Sequence, residues 1–296
     1  MALITLRQLL DHAAGQSCGQ PVFNVNNMAV LRQNTLTPRH LVAKASKMRR
    51  KLVVGNWKMN GNIAKNKALL EAVIAGVRDL HHGDYVVCVP YPYLAQVQTL
   101  AHSTNVAWGA QNLCAQEDGA LTGAVSPGML VDYGCSYVIV GHSERRLLSH
   151  ETDDTAAARF HAAINAGLTP IFCMGETKEE READWTEYVV GRQLDSILRR
   201  FGPEDVAKAV LAYEPLWAVG TDVPATPEQA QEVHTFIRKR IAKCDTQVAK
   251  NVRILYGGSL NPANAKALFD MPDIDGGVIG RCSLEANAFV GICKVA

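Results

Sequence analysis

The chain of 296 residues is 48% hydrophobic and 20% charged, with a formal net charge of +1. That is a globular composition of one large domain or two small ones, and it excludes a highly charged disordered chain. The near-zero net charge points to no nucleic-acid or membrane partner. No apolar run approaches 18 residues, and the N-terminus has no long apolar core, so neither a membrane-spanning helix nor a secretory signal is expected.

The charge is unevenly spread. Residues 1–51 carry eight Lys/Arg and a single acid, Asp11, and the next acid is Glu71. A boundary near residue 48 follows, with 1–47 as a non-catalytic extension and 48–296 as the main domain. The eight cysteines include no CxxC pair and no His/Cys spacing that suits zinc. Several sit in apolar runs, where a thiol packs as a small hydrophobe. Reduced thiols and a cytoplasmic location are therefore expected.

In chain order, Leu6, Leu9, Leu10 and Ala13 fall at helical spacing, and Pro21-Val-Phe-Asn-Val opens a strand. Residues 1–28 resemble the first strand–helix portion of class II fructose-bisphosphate aldolases, without the zinc ligands or the rest of that barrel. A piece this short buries no core. Residues 29–50 are polar and basic, and are expected to be disordered or loosely docked. An organelle transit peptide is the rival reading of this acid-poor stretch.

From Lys51 the chain acquires a rhythm. Apolar, β-branched runs occur at 52–54, 85–89, 106–110, 137–140, 170–173, 209–213, 252–256 and 277–279. Helix-like segments separate them at 65–80, 153–165, 185–200, 227–244 and 261–268. Near-continuous apolar strands mean burial on both faces. Eight such strands alternating with helices predict an α/β fold, a (β/α)8 barrel. A doubly wound open sheet would want a GxGxxG turn after a strand, and there is none.

On such a barrel, chemistry collects at the C-terminal ends of the strands. The sixth run ends in Ala212-Tyr-Glu-Pro-Leu-Trp-Ala-Val-Gly-Thr-Asp222. Glu214 there is a carboxylate at a strand end, before a loop stiffened by Pro215 and Pro224 and permissive at Gly220. A general base under a closing loop would look like this. Taken alone, the segment reads more readily as a surface acid before an ordinary turn.

Gly257-Gly258-Ser259 after the seventh run and Gly280-Arg281 after the eighth suit a phosphate, because backbone N–H groups can approach an anion there. Plain turn glycines are the alternative, and the position favours phosphate. Lys58 follows the first run, among Asn56, Trp57 and Asn60, where it could hold a substrate's negative charge or remain a solvated lysine. His142 ends the fourth run and opens a helix, with Ser143 as the expected N-cap. The helix N-terminus favours a neutral imidazole, able to donate to a developing oxyanion. A satisfied structural histidine would be preferred if His142 stood alone.

Together, GNWKMN, GAQN, VGHSERR, AYEPLWAVGT, ATPEQAQEVH and YGGS occur in the order found in triosephosphate isomerases. The resemblance runs from about Met48 to Ala296 and implies a TIM barrel. It implies a cofactor-free, metal-free enzyme that interconverts dihydroxyacetone phosphate and glyceraldehyde 3-phosphate in glycolysis and gluconeogenesis, as a homodimer. By this resemblance, Glu214 is the base that shuttles the proton, and His142 is the neutral electrophile. Lys58 and Asn56 are electrostatic and positioning groups, and Glu144 is a second acid beside them. Gly220, Ser259, Gly280 and Arg281 are phosphate-binding backbone positions, and Cys173 is a structural strand-end cysteine.

The chain departs from that pattern in four places. Residues 1–47 are foreign to it. The far hinge of the loop reads Asp222-Val-Pro-Ala225 in place of a Lys-Thr-Ala, which bears on loop kinetics and not on the chemistry. Arg281 stands where a second glycine is common, so its N–H serves only if the backbone there tolerates a side chain. Ala124 stands where an acid is common, which removes an ion pair to Arg145 of the partner subunit. An exposed pair contributes about 0–1 kcal/mol, so a dimer is still expected. A catalytically silent barrel is disfavoured because Lys58, His142 and Glu214 are all kept. An aldolase–isomerase fusion is disfavoured because most of an aldolase is missing.

Overall fold

The structure, a computed structural model, describes residues 49–219 and 224–296. The expectations for residues 1–47, and for Gly220, lie outside the described residues. Eight parallel strands close on themselves in sequence order. They are β1 (Lys51–Asn56), β2 (Gly83–Val89), β3 (Val106–Ala110), β4 (Tyr137–Val140), β5 (Thr169–Met174), β6 (Val210–Tyr213), β7 (Arg253–Tyr256) and β8 (Gly276–Ile279). Each of the eight expected runs is thus a strand, within a few residues of its expected ends.

Burial on both faces explains why the runs are apolar without alternation. On β1, Leu52 and Val54 point inward and pack with Val86, Ile139, Ile171, Val210 and Leu255 in the barrel's own core. Val53 faces the other way and joins the larger core between the strands and the surrounding helices. Closure needs Leu52 to pair with Gly276. Gly276 has a φ of +132°, and a Cβ there would stand 1.9 Å from the Leu52 carbonyl oxygen, so only glycine closes the barrel at this point.

The helices that position the site are α1 (Ile63–Val77), α2 (Leu94–Ala101), α3 (Pro127–Asp132), α4 (Ser143–Leu148), α5 (Asp153–Asn165), α6 (Lys178–Glu182), α7 (Thr186–Val206) and α8 (Pro227–Ala242). Local chemistry sets their starts. In ATPEQAQEVH, Thr226 and Gln229 cap each other's backbone N–H groups and Pro227 occupies the first turn, so α8 begins where the motif predicts. The helix expected over 261–268 is shorter, Ala265–Phe269. Asn261 spends its side chain accepting from the N–H groups of Ala263 and Asn264, which holds a turn in place of the first helical residues.

Candidate active site

The strand ends bring Lys58, Asn56, His142 and Glu214 to the wall of one cavity of about 560 Å³, which Gly257, Gly258, Ser259, Gly280 and Arg281 also line. Of the expected site residues, Glu144 lies just beside it and Gly220 is outside the described residues.

Glu214 is almost fully buried at the end of β6. Its Oε2 accepts the N–H of Ser143, 3.0 Å away. Its Oε1 lies 3.2 Å from His142 Nε2. The imidazole's tautomer follows from its other nitrogen. His142 Nδ1 accepts the N–H of Glu144 at 3.2 Å, so the ring proton sits on Nε2, the nitrogen beside Glu214. This corrects one detail: the cap of α4 is His142 itself, and Ser143 is the first helical residue. The helix therefore fixes the imidazole through Nδ1, which leaves Nε2–H free to donate into the cavity.

Lys58 has a left-handed backbone, φ +50°, rare for a residue with a side chain. Such a conformation costs on the order of 1–3 kcal/mol and persists only where neighbours hold it. Asn56 Oδ1 accepts the Lys58 N–H at 3.0 Å, and Gln111 Nε2 donates to the Lys58 carbonyl at 3.0 Å. Gln111 also donates to the Cys88 carbonyl at 3.0 Å. This role was missed in the sequence, although GAQN had marked its position. The Lys58 ammonium pairs with Glu144 Oε1 at 2.5 Å. Its Nζ is also 3.8 Å from where a Cβ on Gly280 would be, so it faces the glycine wall as well.

That wall differs from its expected form in two ways. The Ser259 N–H donates to the Ala218 carbonyl at 2.9 Å, so it reaches an anion only when that bond opens. Arg281 lies in a 3₁₀ turn, Arg281–Leu284, without a positive φ. The backbone there tolerates a side chain, and the glycine common at this position is not required.

Two further residues brace the carboxylate side of the cavity. Cys173 is fully buried on β5, where burial first and the Glu214 carboxylate second push its thiol well above the usual range, so it stays protonated. Glu176 is buried after β5 and accepts from Tyr213 Oη at 3.0 Å and from Trp217 Nε1 at 2.9 Å. The Leu216 N–H donates to its carbonyl at 3.0 Å, so Glu176 anchors the loop that follows Glu214. A carboxylate after a strand end gave no separate signal for this, because its partners come from another strand.

A carboxylate and a protonated imidazole nitrogen converge on a space that a lysine and glycine backbone make hospitable to an anion. Proton transfer on a small anionic molecule is the chemistry this permits, and it sets the chain among the (β/α)8-barrel enzymes. A family model described as triosephosphate isomerase matches residues 51–296. The triosephosphate isomerase of Thiobacillus denitrificans is 54% identical over 249 residues, 84% of this chain and 99% of that protein. That of Dechloromonas aromatica is 53% identical over 249 residues, 84% of this chain and the whole of that protein. That of Nitrosomonas eutropha is 52% identical over 244 residues, 82% of this chain and 97% of that protein. The chain belongs to the triosephosphate isomerase family. The aldolase resemblance of residues 1–28 has no counterpart among these matches.

Proposed function

We propose that the chain interconverts dihydroxyacetone phosphate and D-glyceraldehyde 3-phosphate through an enediolate, with Glu214 as the base. The contact that carries this reading is His142 Nε2 to Glu214 Oε1 at 3.2 Å, because it puts donor and acceptor on one reacting space. Glu214 takes a proton from the carbon beside the carbonyl, and the electron pair moves to the carbonyl oxygen. His142 Nε2–H and the Lys58 ammonium stabilise that oxygen as charge develops. Glu214 then returns the proton to the neighbouring carbon. To do so it must give up the Ser143 N–H, so substrate entry exchanges one set of partners for another. Asn56 and Gln111 hold Lys58 in place, and Glu144 fixes its ammonium. The backbone at Gly258, Ser259, Gly280 and Arg281 is the phosphate cradle, with Gly220 completing it.

The reading extends to organisation. Residues 1–47 serve as a non-catalytic extension on a barrel that begins near Met48, in a cytoplasmic protein. Among the described residues no helix is long and apolar enough to cross a membrane. The enzyme works as a homodimer: Met59, 95% exposed, borders a groove of Pro90, Tyr91, Gln111 and Arg145 beside the catalytic lysine. Ala124 weakens that dimer little, because Arg145 finds its acid within its own chain, Glu151 at 2.8 Å.

A coupled isomerase assay on the full chain and on Glu214→Gln tests the proposal. The amide cannot accept the substrate proton, so turnover should fall by at least 10²–10⁴-fold, the usual contribution of a positioned base. Near-normal activity in the variant would remove Glu214 from the mechanism.

A further inference from the structure

The charges around the cavity raise a question that the backbone cradle does not answer. Among the described residues, Lys58 and Arg281 are the cations on its wall, and Glu214 is the acid. Lys58 is already engaged by Glu144 at 2.5 Å. Without Arg281, two carboxylates would outweigh one ammonium, and a phosphate dianion would approach a site of net negative charge. Among the described groups, Arg281 brings the balance to neutral.

Its setting makes that charge available. Arg281 directly follows Gly280, which the Lys58 side chain approaches, and it is exposed at the cavity's edge. Among the described residues its guanidinium has no hydrogen-bond or ion-pair partner. Arginines elsewhere on the same end of the barrel are occupied: Arg145 and Arg159 bind Glu151, and Arg146 and Arg192 bind Asp153. An exposed arginine is usually just solvated. This one lines a ligand cavity, and among the described residues no carboxylate is paired with it.

We infer that the Arg281 side chain is a second grip on the substrate's phosphate, beyond its backbone N–H, and that it governs dianion capture. The inference rests on the isomerase reading above for the identity of the substrate. A guanidinium presents two parallel N–H donors that match two phosphate oxygens, which neither an ammonium nor a backbone amide does. At the cavity's edge it is remote from the carbons that exchange the proton. It therefore holds ground state and transition state alike, and shows in KM rather than in kcat. Its charge also attracts the dianion from solution, an effect that salt screens over about 8–10 Å.

The test compares wild type with Arg281→Gln and Arg281→Lys. Inorganic phosphate binding is followed by NMR titration at low and at physiological ionic strength. In Arg281→Gln the dissociation constant for phosphate should rise about 3–10-fold at low salt and depend less steeply on salt. Arg281→Lys should recover part of that loss. In turnover assays, the ratio of kcat/KM for the phosphorylated triose to that for phosphate-free D-glyceraldehyde should fall by a similar factor. An unchanged phosphate affinity at low salt, or an equal loss on the phosphate-free triose, would overturn the inference. If the wild-type chain does not isomerise the phosphorylated triose, the isomerase reading fails, and the phosphate titration still decides the role of Arg281.

Discussion

Gly257 leaves the space that Glu214 occupies: a Cβ at position 257 would stand 2.6 Å from Glu214 Cγ. The end of β7 thus sets the position of a carboxylate carried by β6. The Gly257 N–H also donates to the Tyr213 carbonyl at 2.7 Å, so the two strand ends cannot easily part to make room. Gly257→Ala should therefore displace the carboxylate and leave the barrel folded. A misplacement of about 1 Å can cost on the order of 10²-fold in rate, and kcat should fall by about that much. Steady-state kinetics beside a thermal melt check this; a full-rate Gly257→Ala enzyme would mean the base has slack that the geometry denies.

His234 makes acid a destabilising condition. It is fully buried on α8, with Nδ1 3.1 Å from the Asp273 carbonyl, and burial lowers its pKa from 6.5 to about 3. Arg238, a positive neighbour, also lowers it, while Asp273 acts the other way. Below pH 6.5 the unfolded chain takes up a proton that the folded chain refuses. The stability is complete above that pH and drains away as pH falls towards 3. The slope from this group is about 1.4 kcal/mol per pH unit within that window. Denaturant unfolding between pH 6.5 and 4.5 should show a shallower pH dependence in His234→Gln than in wild type. Parallel curves would mean that His234 ionises freely in the folded state.

A chain that starts at Met48 should turn over as the full chain does. All eight strands lie beyond that residue, and so do all the proposed site groups. Comparing specific activity and melting temperature of the two forms is sufficient. A drop in either on removing residues 1–47 would give the extension a structural part in the enzyme.

Pro224 lines the cavity, and the next residue, Ala225, donates its N–H to Tyr256 Oη at 3.3 Å. Proline fixes its own φ near −65° and restricts the residue before it, so the far end of the loop after Glu214 has fewer states to lose when substrate binds. If that geometry suits the bound form, Pro224→Thr should weaken binding of a phosphorylated enediolate mimic by about 0.4–1 kcal/mol, the usual effect of a compatible proline. Isothermal titration against the mimic measures it. Tighter binding with faster turnover in the variant would show that the proline hinders closure.

The strand-end motifs, the barrel and the placing of Lys58, His142 and Glu214 at strand ends were legible in the sequence. An apolar run buried on both faces is a feature that one chain segment displays by itself. So do the caps, because Thr226 and Gln229 are three residues apart and meet within one turn of α8. Other features depended on residues distant in the chain. The pairing of β1 with β8 closes the barrel and faces Lys58 towards Gly280. Only then does His142, on the β4–α4 turn, meet Glu214 after β6. Which residue caps α4, where the Ser259 N–H is spent, and why position 257 must be glycine follow from that closure. These are contacts of a few ångströms between strand ends, and no local pattern of residues encodes such a distance. Arg281 shows the same division. Its charge was plain in the sequence, but the 3₁₀ turn that lets a side chain stand at the cavity's edge is a property of the folded backbone.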